Sequence, residues 1–202
     1  MVLRNKNSYP KICFKIIEQL KEKLPNYLSY HSMDHIIDVA NVCNDYIEYY
    51  DIPEEMAKLL RIAAICHDYG YIESSIDHEE RSIVAIKPFL SPILNSKEME
   101  IVNGMIRATK VPQEPKTFYE EILADADLDY LGRKDYDEIS AKLFNEYLHF
   151  DIVSNKIEWL DLQIWFLENH KFHTDFAKKN RQKLKFENIK ELKSLRLAAK
   201  LK

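Results

Sequence analysis

Three short stretches of this chain carry side chains able to bind a metal ion or move a proton: "YHSMDHIIDV" (residues 30–39), "AAICHDYGY" (63–71) and "ADADLDYLG" (124–132). In the first, His31 and His35 are four residues apart, and on a helix such residues stand within about 40° of each other on one face. Alone the pair is a weak signal, because surface and core histidines fall at this spacing without any ligand role. In the second, a run that packs like core ends in an adjacent imidazole and carboxylate, His67 and Asp68. A helix ending there would present its partially negative terminus, which favours a cation. In the third, Asp125, Asp127 and Asp129 interrupt an apolar setting of Ile122, Leu123, Leu128 and Leu131, where burying a carboxylate is costly. Positions 125 and 127 lie about 200° apart on a helix, so at most one of them points at a given site. Together the three stretches supply mixed imidazole and carboxylate donors. That donor set suits Mn, Fe, Ni, Zn or Co, with room for an activated water.

The elements that must position these groups read as helices. Only three glycines occur, and long segments place apolar residues at i, i+3, i+4 and i+7 while alternating strand patterns are scarce. The spacing predicts helices over 9–24, 32–50, 54–67, 78–90, 96–109, 117–131, 135–149, 155–170 and 187–200. Asp51 and Asp77 are expected to cap the third and fourth, with Pro53 just inside the third and Gly70 soon after it. The third helix carries Leu59, Leu60, Ala63 and Ala64 on one stripe. It should lie deep and deliver His67 and Asp68 at its end. The aromatic run "IEWLDLQIWFLE", with Trp159, Trp165 and Phe166, is expected to be mostly core.

A chain of 202 residues fits a single domain, 1–202. With 46% hydrophobic and 31% charged residues, the composition is that of a globular protein rather than a disordered or membrane-spanning one. The first twenty residues lack the continuous apolar stretch of a secretory signal, and a cytoplasmic protein is expected. Cys13, Cys43 and Cys66 are odd in number and widely spaced, as reduced, packed thiols would be. The net charge of -4 is unevenly placed, because residues 178–202 hold ten Lys/Arg against two Asp/Glu. This tail reads as a basic amphipathic helix resting on an acidic body, since Phe186 is its single aromatic residue and nucleic-acid binding has little else to recommend it.

The order His, His-Asp, Asp resembles the HD-domain superfamily of metal-dependent phosphohydrolases, an all-α helical bundle. The resemblance covers about residues 28–150, where "YHSMDHIIDV", "HDYGY", "HEERS", "DADLDYLG", "KDYDEI" and "NEY" follow in the order of a bacterial group of predicted metal-dependent HD phosphohydrolases. It implies His35, His67, Asp68 and Asp127 as ligands of one divalent transition metal. Asp127 is chosen over Asp125 because Ala126-Asp127-Leu128 matches the family's Ala-Asp-Leu segment. It further implies His31 and Asp68 as catalytic groups. His78, Arg107 and Lys110 are then candidates on the substrate side, and the substrate would be a small-molecule phosphate ester or anhydride, a nucleotide first. Val111 and Asn145 stand where the bacterial group usually has His and Arg. The alternatives are a non-catalytic regulatory module on the same fold and a di-iron oxygenase, which needs further ligands such as His78.

Overall fold

The computed structural model describes residues 1–200. Residues 201 and 202, the end of the expected basic helix, lie outside the described residues. The described chain is helical and contains no strand. Its internal contacts gather it into two compact units, Met1–Asp127 and Leu128–Lys202.

The first unit contains α1 (Lys11–Lys23), α2 (Met33–Tyr49), α3 (Glu54–Cys66), α4 (His78–Leu90), α5 (Ser96–Ala108) and α6 (Phe118–Asp127). α3 is the central element, packing against α1, α2 and α5. From Leu59 to Cys66 every one of its residues is buried, including Arg61. The guanidinium of Arg61 donates to Asn44 Oδ1 at 3.2 Å and to Glu54 at 3.0 Å, which supplies the partners its burial demands. A short 3-10 turn, Tyr69–Ile72, follows α3 and lies against α4. Ser82 holds the two together: its buried hydroxyl accepts from Gly70 N at 2.7 Å and donates to His67 O at 2.7 Å. Gly70 allows the approach, because a Cβ there would collide with the backbone carbonyl of His78.

The second unit begins with a 3-10 turn, Asp129–Gly132, and continues through α7 (Tyr136–His149), α8 (Lys156–Asn169) and α9 (Asp175–Lys200). α9 packs on that turn and on α8. Buried Asp129 accepts from Arg181 at 2.7 Å, and Arg196 grips Asp161 of α8 at 2.7 and 2.9 Å.

Several sequence expectations change in detail. α9 starts at Asp175 rather than 187, where Thr174 Oγ1 accepts from Ala177 N at 3.2 Å. The helix expected over 117–131 stops at Asp127 and resumes as the 3-10 turn beyond Leu128. Asp77 does sit at the start of α4, but its left-handed backbone, with φ of 51°, makes no side-chain cap. Its carboxylate takes a hydrogen bond from Lys110 instead, at 2.8 Å. Asp51 likewise adopts a φ of 47°, and Pro53 occupies the capping position of α3. Trp159 is core, packed by Phe144 and Tyr147, whereas Trp165 is 60% exposed. Lys185 on the basic helix is buried rather than solvated, its ammonium donating to His170 O at 2.5 Å. The three cysteines are free and buried. No helix among the described residues is long and apolar enough to cross a membrane.

Candidate metal centre

The end of α3 delivers the central pair. α3 closes at Cys66, and His67 and Asp68 form its exit, with backbone angles of -57°, -37° and -101°, 11°. The change at Asp68 breaks the helical rotation, so two adjacent residues can face one centre. His67 is fully buried, and its Nδ1 donates to Ala64 O at 2.9 Å. Because a carbonyl only accepts, the proton of neutral His67 is held on Nδ1 and Nε2 keeps its lone pair.

Around that Nε2 the other donors gather. His35, on the first turn of α2, brings its Nε2 to 3.3 Å, and Asp127, the last residue of α6, brings Oδ1 to 3.1 Å from His35 Nε2 and 3.5 Å from His67 Nε2. Asp68 Oδ2 stands 3.3 Å from His67 Nε2 and 3.4 Å from His35 Nε2. Among the described residues, His35, His67 and Asp127 form the group compact enough to hold a metal ion, with ligand atoms all within 4.8 Å of one another. Asp125, fully buried two residues before, is not part of it.

This set fits a divalent cation. Four donors bound at about 2.1 Å from a common centre sit roughly 3.0–3.5 Å apart, the range seen between these atoms. Asp68 Oδ2 is buried and lacks a hydrogen-bond partner, a costly state for a carboxylate oxygen unless a cation meets it. Two imidazole nitrogens facing each other at 3.3 Å likewise call for a proton or a metal between them. Without metal the cluster partitions charge. Burial alone would depress the His67 imidazole, but the carboxylates of Asp68 and Asp127 outweigh it and hold its pKa well above the ordinary value. Burial would raise both acids, yet the imidazoles prevail: Asp68 is held well below the usual carboxylate range, chiefly by His67. Asp127 is lowered to about 2 by its hydrogen bonds from His35 and His67.

A second tier of groups borders the centre. His78, the first residue of α4, places Nε2 3.4 Å from the other oxygen of Asp68, Oδ1, and 3.4 Å from Glu79 Oε1. His31 does not belong to α2. Ser32 caps that helix in an extended conformation, so His31 precedes it and the helical i, i+4 geometry does not apply. Its ring still lies 5.9 Å from that of His35, because the turn before the helix folds back. Arg107 and Lys110, at the end of α5, reach the start of α4: Arg107 binds Glu80 through two hydrogen bonds of 2.5 and 3.0 Å, and Lys110 binds Asp77. Both are half-exposed.

Three residues at this site escape a reading of residue types. Ser82 and Gly70 fix the turn that carries Asp68, and their role rests on a long-range contact that the sequence does not announce. Tyr71 is the third. Its ring stacks on His31 at 4.1 Å and leans on His78 at 4.3 Å, and its hydroxyl meets His31 Nε2 at 3.0 Å. The doublet of tyrosines in "HDYGY" was the available signal.

No curated protein and no solved structure was found to match the chain. The model of the HD domain matches residues 33–129. That span opens two residues before His35, takes in His67 and Asp68, and closes two residues after Asp127, so the family match and the donor cluster coincide. Residues 33–129 carry an HD domain, the domain that defines a superfamily of metal-dependent hydrolases.

Proposed function

We propose that this protein is a metal-dependent phosphohydrolase acting on a small-molecule phosphate ester or anhydride, with nucleotides as the first class to test. The observation that carries this reading is the buried convergence of His35, His67 and Asp127 beside an unsatisfied Asp68 oxygen, within an HD domain. His35, His67, Asp68 and Asp127 would hold one divalent transition metal. Such an ion supplies Lewis acidity toward phosphoryl oxygens and makes water nucleophilic near neutral pH.

The protein's own groups do the rest. Asp68 accepts a hydrogen bond from the attacking water and orients it toward phosphorus. His31 donates a proton to the departing oxygen. His78, against the far oxygen of Asp68, contributes to the substrate side. Arg107 and Lys110 can neutralise phosphate charge once they exchange their present carboxylate partners, an exchange that is cheap because exposed ion pairs are worth only about 0–1 kcal/mol.

The test is metal content by mass spectrometry after supplementation with Mn, Fe, Ni, Zn and Co, followed by a screen of nucleoside mono-, di- and triphosphates and cyclic nucleotides with the metal retained. Near-stoichiometric metal and release of phosphate, or ring opening of a cyclic diester, is expected. Metal without turnover of any phosphate would favour the regulatory module, and absence of bound metal would remove the hydrolytic reading altogether.

A further inference from the structure

α9 rests on its unit by one side, through buried Ala177, Lys185, Ile189 and Leu192, and another side carries charge that the unit does not use. At about 100° per residue, Lys179, Lys183, Phe186, Lys190, Lys193 and Leu197 fall within roughly 80° of one another and form a straight row about 27 Å long. All are exposed, Phe186 by 54% and Leu197 by 66%. Lys193 pairs with Glu168 of α8 at 2.5 Å, whereas the ammoniums of Lys179, Lys183 and Lys190 meet no hydrogen-bond or ion-pair partner among the described residues. Asp175 stands at the head of the row, and Glu187 and Glu191 lie about 100° and 140° round the helix from Phe186. Trp165 of α8, itself exposed, borders the row. It is one helical turn from both Asp161 and Glu168, which meet Arg196 and Lys193 of α9.

We infer that this face of α9, with Trp165 beside it, is a docking surface for an anionic phospholipid bilayer. A flat array of headgroup phosphates matches a straight row of ammoniums, and each lysine brought to such a surface strengthens binding about fivefold. The apolar members of the patch decide between polyanions. Phe186, Leu197, Trp165 and the lysine stems lose water when they settle among headgroups, while the ammoniums stay at the level of the phosphates. A nucleic-acid backbone gives Leu197 nothing to enter, and its phosphates are best gripped by the planar fork of arginine. Both arginines of α9 are committed within the unit, Arg181 to Asp129 and Arg196 to Asp161, each at 2.7 Å. Solvation alone accounts for the lysines, but not for three large apolar side chains exposed among them.

Flotation of the full chain with lipid vesicles tests this, using phosphatidylcholine alone and phosphatidylcholine mixed with phosphatidylglycerol. At about 0.1 M salt the protein should float with the anionic vesicles and not with the neutral ones, and raising the salt to about 0.5 M should release it, because the lysines are solvent-exposed and screened. Lys183→Gln combined with Lys190→Gln should lower the partition coefficient roughly 25-fold, and Phe186→Ser roughly tenfold. Neither variant removes a buried side chain, so both should keep wild-type circular dichroism. Because Trp159 is buried and Trp165 exposed, the blue shift of tryptophan emission on vesicle binding should arise from Trp165 and vanish in Trp165→Phe. Equal binding to both kinds of vesicle, binding to neither, or an undiminished partition coefficient in the lysine double variant overturns the inference. Displacement of the vesicles by a double-stranded oligonucleotide at equal phosphate concentration, with Phe186→Ser binding vesicles as wild type does, would make the face a nucleic-acid surface and overturn it too.

Discussion

In its neutral form His67 holds a proton on the side facing Ala64 O and offers a lone pair on the side facing His35, Asp68 and Asp127. Without metal, the carboxylates of Asp68 and Asp127 raise its pKa against the effect of burial, so a metal ion entering the cluster competes with a proton for Nε2. Calorimetric titration of the metal-free protein with Zn²⁺ at pH 7, in buffers of different ionisation enthalpy, should report release of on the order of one proton per ion. Binding without proton release would mean that His67 is not a ligand. The two aspartates of the third stretch separate by the same logic. Asp127→Ala should abolish stoichiometric metal because its carboxylate reaches both imidazoles, whereas Asp125→Ala, outside the ligand group, should retain metal. Mass spectrometry of the two variants reads the difference. The residue types alone left this choice open, since 125 and 127 both sit in apolar surroundings and the end of α6 decides which one faces the histidines.

At the scale of elements, the site depends on how the turn after α3 is pinned to α4. Ser82→Ala would strip the buried Gly70 N–H and His67 C=O of their shared partner, at a cost of about 1–3 kcal/mol. Gly70→Ala should be worse for function, because its new methyl group meets backbone, the His78 carbonyl, which cannot rotate aside as a side-chain tip could. Urea denaturation should show both variants destabilised, and Gly70→Ala should lose metal affinity as α4 is pushed off the turn. Retention of wild-type affinity in Gly70→Ala would mean that the turn and α4 are not mechanically linked. These contacts also mark where sequence reading ended. Helical periodicity places α2, α3 and α5 to within a few residues, because each buries a continuous apolar stripe. It overran at Leu128, where apolar residues continue but the helix does not, and it missed the start of α9, because after Phe176 and Ala177 residues 178–183 are all polar and carry no apolar periodicity. The i, i+4 spacing paired His31 with His35 as if both were helical, although the helix, expected from 32 and observed from Met33, begins after His31. Motif residues were legible because their chemistry is unusual in an apolar setting. Tyr71, Gly70 and Ser82 were not, because what they do is defined by contacts with residues 8 to 40 positions away.

For the molecule as a whole, a buried cluster of charges makes stability a function of pH and of metal together. The signs follow from the shifts. His67 has a folded pKa above its ordinary 6.5, so its contribution is fully present below about 6.5 and is lost as pH rises through the folded value. Asp127 has a folded pKa of about 2 against an ordinary 3.8, so its contribution is present above about 3.8 and is lost as pH falls toward 2. Asp68, lowered as well, follows the same sign as Asp127. The metal-free protein therefore draws the most from this cluster between about pH 4 and 6.5, when imidazolium and carboxylates are charged together. Metal changes the balance. It stabilises only the folded form by mass action, and it competes with the proton on His67, so its contribution grows as pH rises. The expected outcome is a Tm difference between metal-loaded and chelator-treated protein that is small near pH 5 and increases toward pH 8, followed by circular dichroism at constant free metal. If the difference is the same at both pH values, metal and proton do not share His67, and the ligand set proposed for this HD domain is wrong in its central member.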